Sequence, residues 1–248
     1  MSSSQQYYNV LDWDSRFFGR KIARWSSGQF LPTDADAALE QGRQEGVECV
    51  YCLISGEEQR SIRNAGGYGL TLVDVRLTFF INLGEWTESV RRGCETRSAT
   101  TGDVPALKAI AAVSHEQSRF YADGHFSSSL CSLFYQIWIE KSCAGRSERV
   151  LVAVVDGVPV GYVTCDRGEG GVGQIGLLAV SEKVRGRGIG RQLIQDALAW
   201  FHAVGVGEVR VVTQGANCTA QRAYQSAGFR SQALELWYHW WLLETAVK

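Results

Sequence analysis

The chain lacks an uninterrupted apolar run approaching the roughly 20 residues that a membrane-spanning helix needs, and Met1 to Tyr8 is polar rather than signal-like. Neither a membrane span nor a secretory leader is expected, and the expected compartment is the cytoplasm. A charge surplus is also missing: 25 Lys and Arg stand against 26 Asp and Glu, and the net charge of −1 offers no field for nucleic acid or for a polybasic membrane contact. The seven cysteines are an odd number, which fits a reducing compartment better than a disulfide framework. Metal-ligand spacing is absent too. Cys49 and Cys52 form a CxxC, yet they lie in VECVYCLI, which reads as a strand. Successive side chains of a strand point to opposite faces, so residues three apart diverge; with no second Cys or His pair at ligand spacing, no metal is expected. Cys218 is left with two readings, a reactive thiol beside Asn217 or a simple packing residue. Charged residues make up 21% and hydrophobic ones 45%, which excludes large-scale disorder, and 248 residues suffice for one large or two small domains.

What the chain does contain is concentrated between Gln174 and Phe229. A buried-type strand, Ile175 to Val180, leads into Arg185, Gly186, Arg187, Gly188, Ile189 and Gly190, and then into a helical stripe of Leu193, Ile194, Ala197, Leu198, Phe201 and Val204 closed by Gly205. Glycines at this spacing let main-chain N–H groups converge on phosphate oxygens, and the first helical turn adds unpaired donors and the positive dipole end. The run reads GxGxG and lacks GK[ST], so it is neither the dinucleotide fingerprint nor the P-loop. Upstream, Asp156 and Gly157 between VLVAVV and VPVGYVTC predict a two-residue hairpin, and a glycine-rich reversal over Arg167 to Gly173 returns the chain into IGLLAV. Strand Val209 to Thr213 follows the helix, with Asn217 and Tyr224 beyond it.

This order of strands, anion loop, helix, strand, helix and strand resembles the GNAT family of N-acetyltransferases. The family's pattern, Arg or Gln, two residues, Gly, one residue, then Gly or Ala, is filled by Arg185, Gly188 and Gly190. The resemblance implies an α/β fold with a mixed central sheet flanked by helices. It implies acetyl-CoA as acyl donor, its pyrophosphate on Arg185 to Gly190 and its pantetheine arm along Leu178, Ala179 and Val180. Asn217 would position the cofactor or start the last helix, and Tyr224 would act as general acid. Around this core, QSRFYADGHF (Gln117 to Phe126), FYQIWIE, IGLLAV, VVTQGANCTAQRAYQSAGF and the N-terminal LDWDSRFFGRKIAR are similar to members of the family that act on a dTDP-linked amino sugar. That similarity implies such a sugar as acceptor, with Gln117, Arg119, Phe120, Tyr121 and Gln214 on the substrate side.

The first half of the chain repeats the second. Ala38, Leu39, Gly46 and Val47 have the spacing of Ala197, Leu198, Gly205 and Val206, and QRSIRNAGGYG from Gln59 resembles QRAYQSAGFRS from Gln221. Ile62 stands where the second copy has Tyr224, and no RGRGIG equivalent precedes it, so the early copy is expected to be a degenerate, catalytically silent GNAT-like unit. Two unrelated amphipathic αβ units are the other reading. A boundary is placed in Gly84 to Thr96, where the long strand Leu70 to Leu83 gives way to EWTESVRRGCET; residues 1–93 then form the N-terminal domain and 94–248 the catalytic one. Thr101, Gly102, Asp103 and Pro105 look like the start of a helix carrying Leu107, Ile110, Ala111 and His115.

The reaction needs an uncharged amine to attack a thioester carbonyl while a thiolate leaves. A main-chain N–H from Leu178 to Val180 would steady the oxyanion, and the Tyr224 phenol, with an ordinary pKa of about 10, would protonate the sulfur. His115 and Glu116 are the candidates for a base, although an amino sugar can arrive partly deprotonated and need none. Phe120, Tyr121 and Phe126 either stack on the acceptor or belong to the core, and His202 and His239 read as structural, without evident partners. A peptide amine or a polyamine would favour an acidic groove, whereas a diphosphate favours Arg119; a non-catalytic acyl-CoA-binding protein is the alternative outside enzymology. Exposed edge strands would permit a homodimer.

Overall fold

The computed structural model describes residues 6–87 and 93–243. Part of the expected boundary segment, 88–92, therefore lies outside the described residues, as do 1–5. The chain opens with β1 (Tyr8–Val10), α1 (Asp12–Phe18), β2 (Ile22–Trp25), α2 (Pro32–Glu45), β3 (Cys49–Ser55), α3 (Gln59–Gly67) and β4 (Thr71–Asn82). It continues with β5 (Glu95–Ser98), α4 (Val104–Ser114), α5 (Arg119–Asp123), α6 (Ser128–Lys141), β6 (Arg149–Val155), β7 (Val158–Arg167) and β8 (Gly173–Val180). Then come α7 (Ile189–Ala203), β9 (Glu208–Gln214), α8 (Cys218–Ser226) and β10 (Arg230–Trp241). The order α2-β3-α3-β4 recurs as α7-β9-α8-β10, the alternation that the internal similarity anticipates.

These elements form two compact units that interleave along the chain. One holds residues 1–76, 118–126 and 233–248, and the other 77–117 and 127–232. In the first unit β1 pairs antiparallel with β2, β2 parallel with β3, and β3 antiparallel with β10, from Ser55↔Glu235 to Cys49↔Trp241. Its core is aromatic: Phe30 is fully buried, with the rings of Trp25, Trp240 and Tyr68 at 5.0, 5.5 and 5.7 Å. Helix α2 begins with Pro32 in its first turn, where a missing N–H costs nothing, and stops at Gly46 with φ +71°.

The second unit is where the glycine loop lies. β5, β6, β7 and β8 pair antiparallel in succession, β8 pairs parallel with β9, and β4 borders β9 on its far side. Asp156 and Gly157, at φ 50° and 76°, make the hairpin between β6 and β7, as two left-handed residues in a row must. On one face Leu193, Ile194, Ala197, Leu198 and Phe201 of α7 pack with Val163, Ile175 and Val209 in a single buried cluster; each large side chain so buried favours the fold by roughly 1.5–3 kcal/mol. Gly173 is obligatory there, since a Cβ would lie 2.8 Å from the Phe201 ring. Helix α4 packs on β7 and against α6, burying Leu107, Ile110 and Ala111. The start of α4 is fixed by Asp103, whose carboxylate takes two guanidinium bonds from Arg97, at 2.7 and 2.8 Å, and the Thr100 N–H and hydroxyl, at 2.7 and 2.8 Å. Thr100 rather than Thr101 is the cap. The Arg97 guanidinium, with smaller help from Thr100, holds the Asp103 carboxyl well below the ordinary carboxylate range.

Cys49 and Cys52 both lie in β3 and are buried free thiols, each pushed up in pKa by burial. Among the described residues no group of three or more His, Cys, Asp or Glu side chains is placed to hold a metal, and no helix is long and apolar enough to cross a membrane.

Candidate active site

Strand β8 carries a bulge. Val163 stands opposite Leu178 and Cys165 opposite Ile175, so the single residue Thr164 faces both Gly176 and Leu177. Thr164 Oγ1 accepts the Leu177 N–H at 2.8 Å, and a Cβ on Gly176 would sit 2.7 Å from that same oxygen. A hydroxyl inside an apolar strand thus replaces the ladder bond that the bulge removes. On its other side β8 pairs with β9 only from Gly173↔Val209 to Ile175↔Val211, although β8 runs on to Val180 and β9 to Gln214. The two strands part at the bulge, and Leu178, Ala179 and Val180 have no strand partner on the β9 side.

The chain leaves β8 through a short 3-10 turn, Glu182–Val184, into the glycine loop. Arg185 is turned back on this loop: its Nε donates to the Val180 carbonyl at 3.2 Å and its Nη1 to Glu182 at 2.9 Å. Gly186 and Gly188 both have φ +79°, and no atom lies within 4 Å of where either Cβ would project. Gly188 caps α7, and the Gln192 N–H makes the first helical bond, to the Gly188 carbonyl, at 3.0 Å. The N–H groups of Ile189, Gly190 and Arg191 therefore precede the helical ladder at the positive end of the dipole. A concave, glycine-lined turn with donors and open space above it fits the diphosphate of a CoA thioester, whose extended arm would run along the open edge of β8.

Tyr224 is 4% exposed and belongs to the same buried cluster as Ile189, Leu178 and Val180, with the Phe229 and Phe79 rings at 5.6 and 6.4 Å. Burial pushes its phenol far up in pKa, so it stays protonated at neutral pH and can only give its proton. Asn217 caps α8, its Oδ1 accepting the Ala220 N–H at 3.0 Å, and Gln221 donates to the carbonyls of Gln214 and Gly215 at 3.1 and 2.8 Å. The helix bearing Tyr224 is anchored in this way to the end of β9. Cys218 is exposed.

Of the residues expected on the acceptor side, Gln117 is exposed and Gln214 half-buried in this unit. His115 terminates α4; its Nε2 lies 3.1 Å from the Tyr162 hydroxyl and its ring stacks on Tyr135 at 4.4 Å. Burial lowers its pKa to about 4, so a neutral ring shares this hydrogen bond with a fully buried tyrosine. An imidazole this weakly basic and so engaged satisfies Tyr162 rather than deprotonating an amine. An open cavity of about 400 Å³, lined by Trp86, Arg191, Gln195 and Arg230 among others, adjoins α7 in the same unit.

Arg119, Phe120 and Tyr121 belong to the other unit, on α5. Phe120 is 4% exposed and packs on Phe18 and Phe126, so its ring is core, and Tyr121 is half-buried. The guanidinium of Arg119 lies over the rings of Tyr51, Trp237 and Phe120 at 4.2, 4.3 and 4.5 Å. His239, read from the sequence as structural and without an evident partner, is fully buried and has two: its Nδ1 bonds Asp123 Oδ2, and its Nε2 lies 3.2 Å from Arg119 Nη1. Asp123 also receives His125 at 2.5 Å and the Trp241 indole N–H at 3.1 Å. Sequence reading passes over Asp123, Thr164 and Gln192, which ties Gly93, Cys94 and Thr96 to α7. The available signals are a carboxylate two residues from a histidine in ADGHF and a lone threonine in VPVGYVTC; neither says which distant residue it will meet.

Residues 110–229 match the family described as the acetyltransferase (GNAT) family. The chain is 28% identical over 233 residues to dTDP-fucosamine acetyltransferase of Escherichia coli O6:H1, an alignment spanning 92% of this chain and 96% of that protein. It is 27% identical over 141 residues, 56% of this chain and 48% of the other, to spore coat polysaccharide biosynthesis protein SpsD of Bacillus subtilis strain 168. In fold it matches a GCN5-related N-acetyltransferase from Sphaerobacter thermophilus with a TM-score of 0.67 at 18% identity, covering 95% of this chain and 76% of that one.

Proposed function

We propose that this chain, an acetyltransferase of the GNAT family, moves an acetyl group from acetyl-CoA to the amino group of a dTDP-linked 4-amino-4,6-dideoxy sugar by direct attack within a ternary complex. The observation that carries the reading is the parting of β8 from β9 at the Gly176–Leu177 bulge, directly before the glycine loop. The acceptor is supported by the similarity to dTDP-fucosamine acetyltransferase, which extends over almost the whole of both chains. Residues 1–93, with Ile62 where the second copy has Tyr224, are read as the degenerate copy of the catalytic half.

The thioester supplies the electrophilic carbonyl and the thiolate leaving group. N–H groups of Gly186 to Arg191 hold the diphosphate. Main-chain groups of Leu178, Ala179 and Val180 take the pantetheine arm in place of a strand partner and offer an N–H to the developing oxyanion. Holding donor and amine side by side removes the entropy of an encounter, worth up to several kcal/mol. As the C–N bond forms and the C–S bond breaks, the Tyr224 hydroxyl gives its proton to sulfur, and the proton that the amine loses returns through water to the phenolate. On the acceptor side Arg119 meets the nucleotide's diphosphate, with Gln117, Tyr121 and Gln214 completing recognition.

Free-thiol release from acetyl-CoA, followed against a panel of nucleotide-linked amino sugars, peptides and polyamines, tests the assignment. Turnover is expected with a dTDP-linked amino sugar. Turnover with a peptide or polyamine and none with a nucleotide sugar would replace the acceptor, and acetyl-CoA binding without any turnover would make the chain a binding protein.

A further inference from the structure

Arg119, His239 and Asp123 form a chain of hydrogen bonds inside the first unit. Asp123 Oδ2 is a carboxylate oxygen, so the His239 Nδ1 that meets it carries a proton. A guanidinium has only donors, so the His239 Nε2 that meets Arg119 at 3.2 Å presents a lone pair. One protonation state satisfies both ends: a neutral imidazole with its proton on Nδ1. A doubly protonated ring would turn an N–H toward an arginine and place two cations in contact.

The surroundings hold that state. His239 is fully buried and stacks on Tyr51 at 4.4 Å, and burial first, then the Arg119 charge, keep its pKa low against the pull of Asp123. Asp123 stays ionised although burial opposes its charge, because His239 and then His125 outweigh the desolvation. The other titratable groups facing this cluster are Asp14 of α1 and Cys49 and Tyr51 of β3. With His239 at one edge and aromatic rings over its faces, the Arg119 fork has one orientation. Two buried hydroxyls of this unit have no hydrogen-bond partner among the described residues: Tyr51 Oη, whose ring lies against the guanidinium, and Ser118 Oγ, next to Arg119 in sequence. Buried hydroxyls of this kind call for a ligand atom or a water.

We propose that His239, anchored by Asp123, is a positioning residue that fixes the Arg119 fork for the diphosphate of the acceptor. This rests on the reading of the acceptor as a nucleotide-linked sugar. His239 does not touch the reacting atoms; it acts through Arg119. A fork held in advance spends less rotamer entropy when it takes a diphosphate in two parallel bonds.

The test has two arms on the full-length protein. Long-range proton–nitrogen NMR of histidine-labelled wild type reads the tautomer of His239 and needs no substrate. An Nδ1–H, Nε2-unprotonated ring at pH 7 is expected; an Nε2–H or doubly protonated ring overturns the proposal. Calorimetric titration with thymidine diphosphate compares wild type with His239→Ala, His239→Gln and Arg119→Lys. His239→Ala should weaken binding roughly tenfold and Arg119→Lys at least as much, with acetyl-CoA affinity unchanged, whereas His239→Gln, whose amide oxygen can still accept from Arg119, should recover most of the loss. In kinetics the effect should fall on KM for the acceptor rather than on kcat. Wild type that binds thymidine diphosphate while a folded His239→Ala or His239→Gln variant binds it equally well, with Arg119→Lys impaired, overturns the positioning role alone. Wild type that ignores thymidine diphosphate overturns the acceptor reading and this inference with it.

Discussion

At the scale of single residues, the proposed chemistry rests on a phenol whose protonation is set by burial. Tyr224 keeps its proton because a phenolate in that cluster would be desolvated. Tyr224→Phe should lower kcat by roughly 10²–10⁴-fold, the usual worth of a positioned acid, and leave acetyl-CoA affinity within about threefold; an unchanged rate of thiol release would remove it from the reaction. Two histidines act on stability instead, His239 fully buried and His115 half-buried at the end of α4. His115 and His239 are each lowered from 6.5 to about 4 by burial, so between those values the unfolded chain binds protons that the folded chain refuses. Their contribution is complete above about pH 6.5 and is lost as pH falls through the window toward 4, where the lowered Asp123 carboxyl begins to act in the same direction. Thermal melts should show Tm falling steadily from pH 6.5 to pH 4. A flat Tm over that range would mean that neither ring is held neutral.

At the scale of elements, a glycine of the loop before α7 and the glycine that closes the same helix make a controlled comparison. Gly188 and Gly205 have φ +79° and +80°, and neither has an atom within 4 Å of where a Cβ would project. Alanine at either should cost roughly 1–2 kcal/mol of backbone strain, since an L-residue resists that conformation. Only at Gly188 would the new methyl also stand above the donors at the start of α7. Gly188→Ala should therefore raise KM for acetyl-CoA about tenfold or more, while Gly205→Ala lowers Tm similarly and leaves KM alone. Equal KM values in the two variants would take the diphosphate away from this loop. The element-scale features were readable in advance to different degrees. The hairpin at Asp156–Gly157 and the glycine beyond α7 are local rules and came out as expected, as did the α7 stripe except for Val204, which lies past the end of the helix and is exposed. The bulge at Gly176 did not, because it depends on Thr164 in the neighbouring strand.

At the scale of the molecule, residues 1–93 and 94–248 exchange their last strands. Residues 77–82 of β4 belong with β9 in the second unit, and residues 233–241 of β10 belong with β3 in the first. Each unit is thus completed by chain from the opposite half of the sequence. A fragment comprising residues 94–248 would leave β9 without its β4 neighbour, and one comprising 1–93 would leave β3 without β10. Both fragments should express as aggregates or lack a cooperative melt, since an unpaired strand edge invites other chains; a folded 94–248 fragment with native acetyl-CoA affinity would contradict this. Arg119 and Tyr224, which a linear division puts in the same half, fall in different units for the same reason.

The sequence alone determined the periodic and the local: which segments are strands and helices, where glycine must turn the chain, and the strand, loop and helix order that matches the acetyltransferase (GNAT) family. Those features depend on residues a few positions apart, and steric and hydrophobic patterning at that range is written directly into the order of side chains. Tertiary structure alone decided that Asp123 would meet His239, more than a hundred residues away, that Thr164 would open β8, and that each half would lend the other a strand. A buried polar group must find a partner, but any of many distant residues can supply one, and only the packed chain selects which.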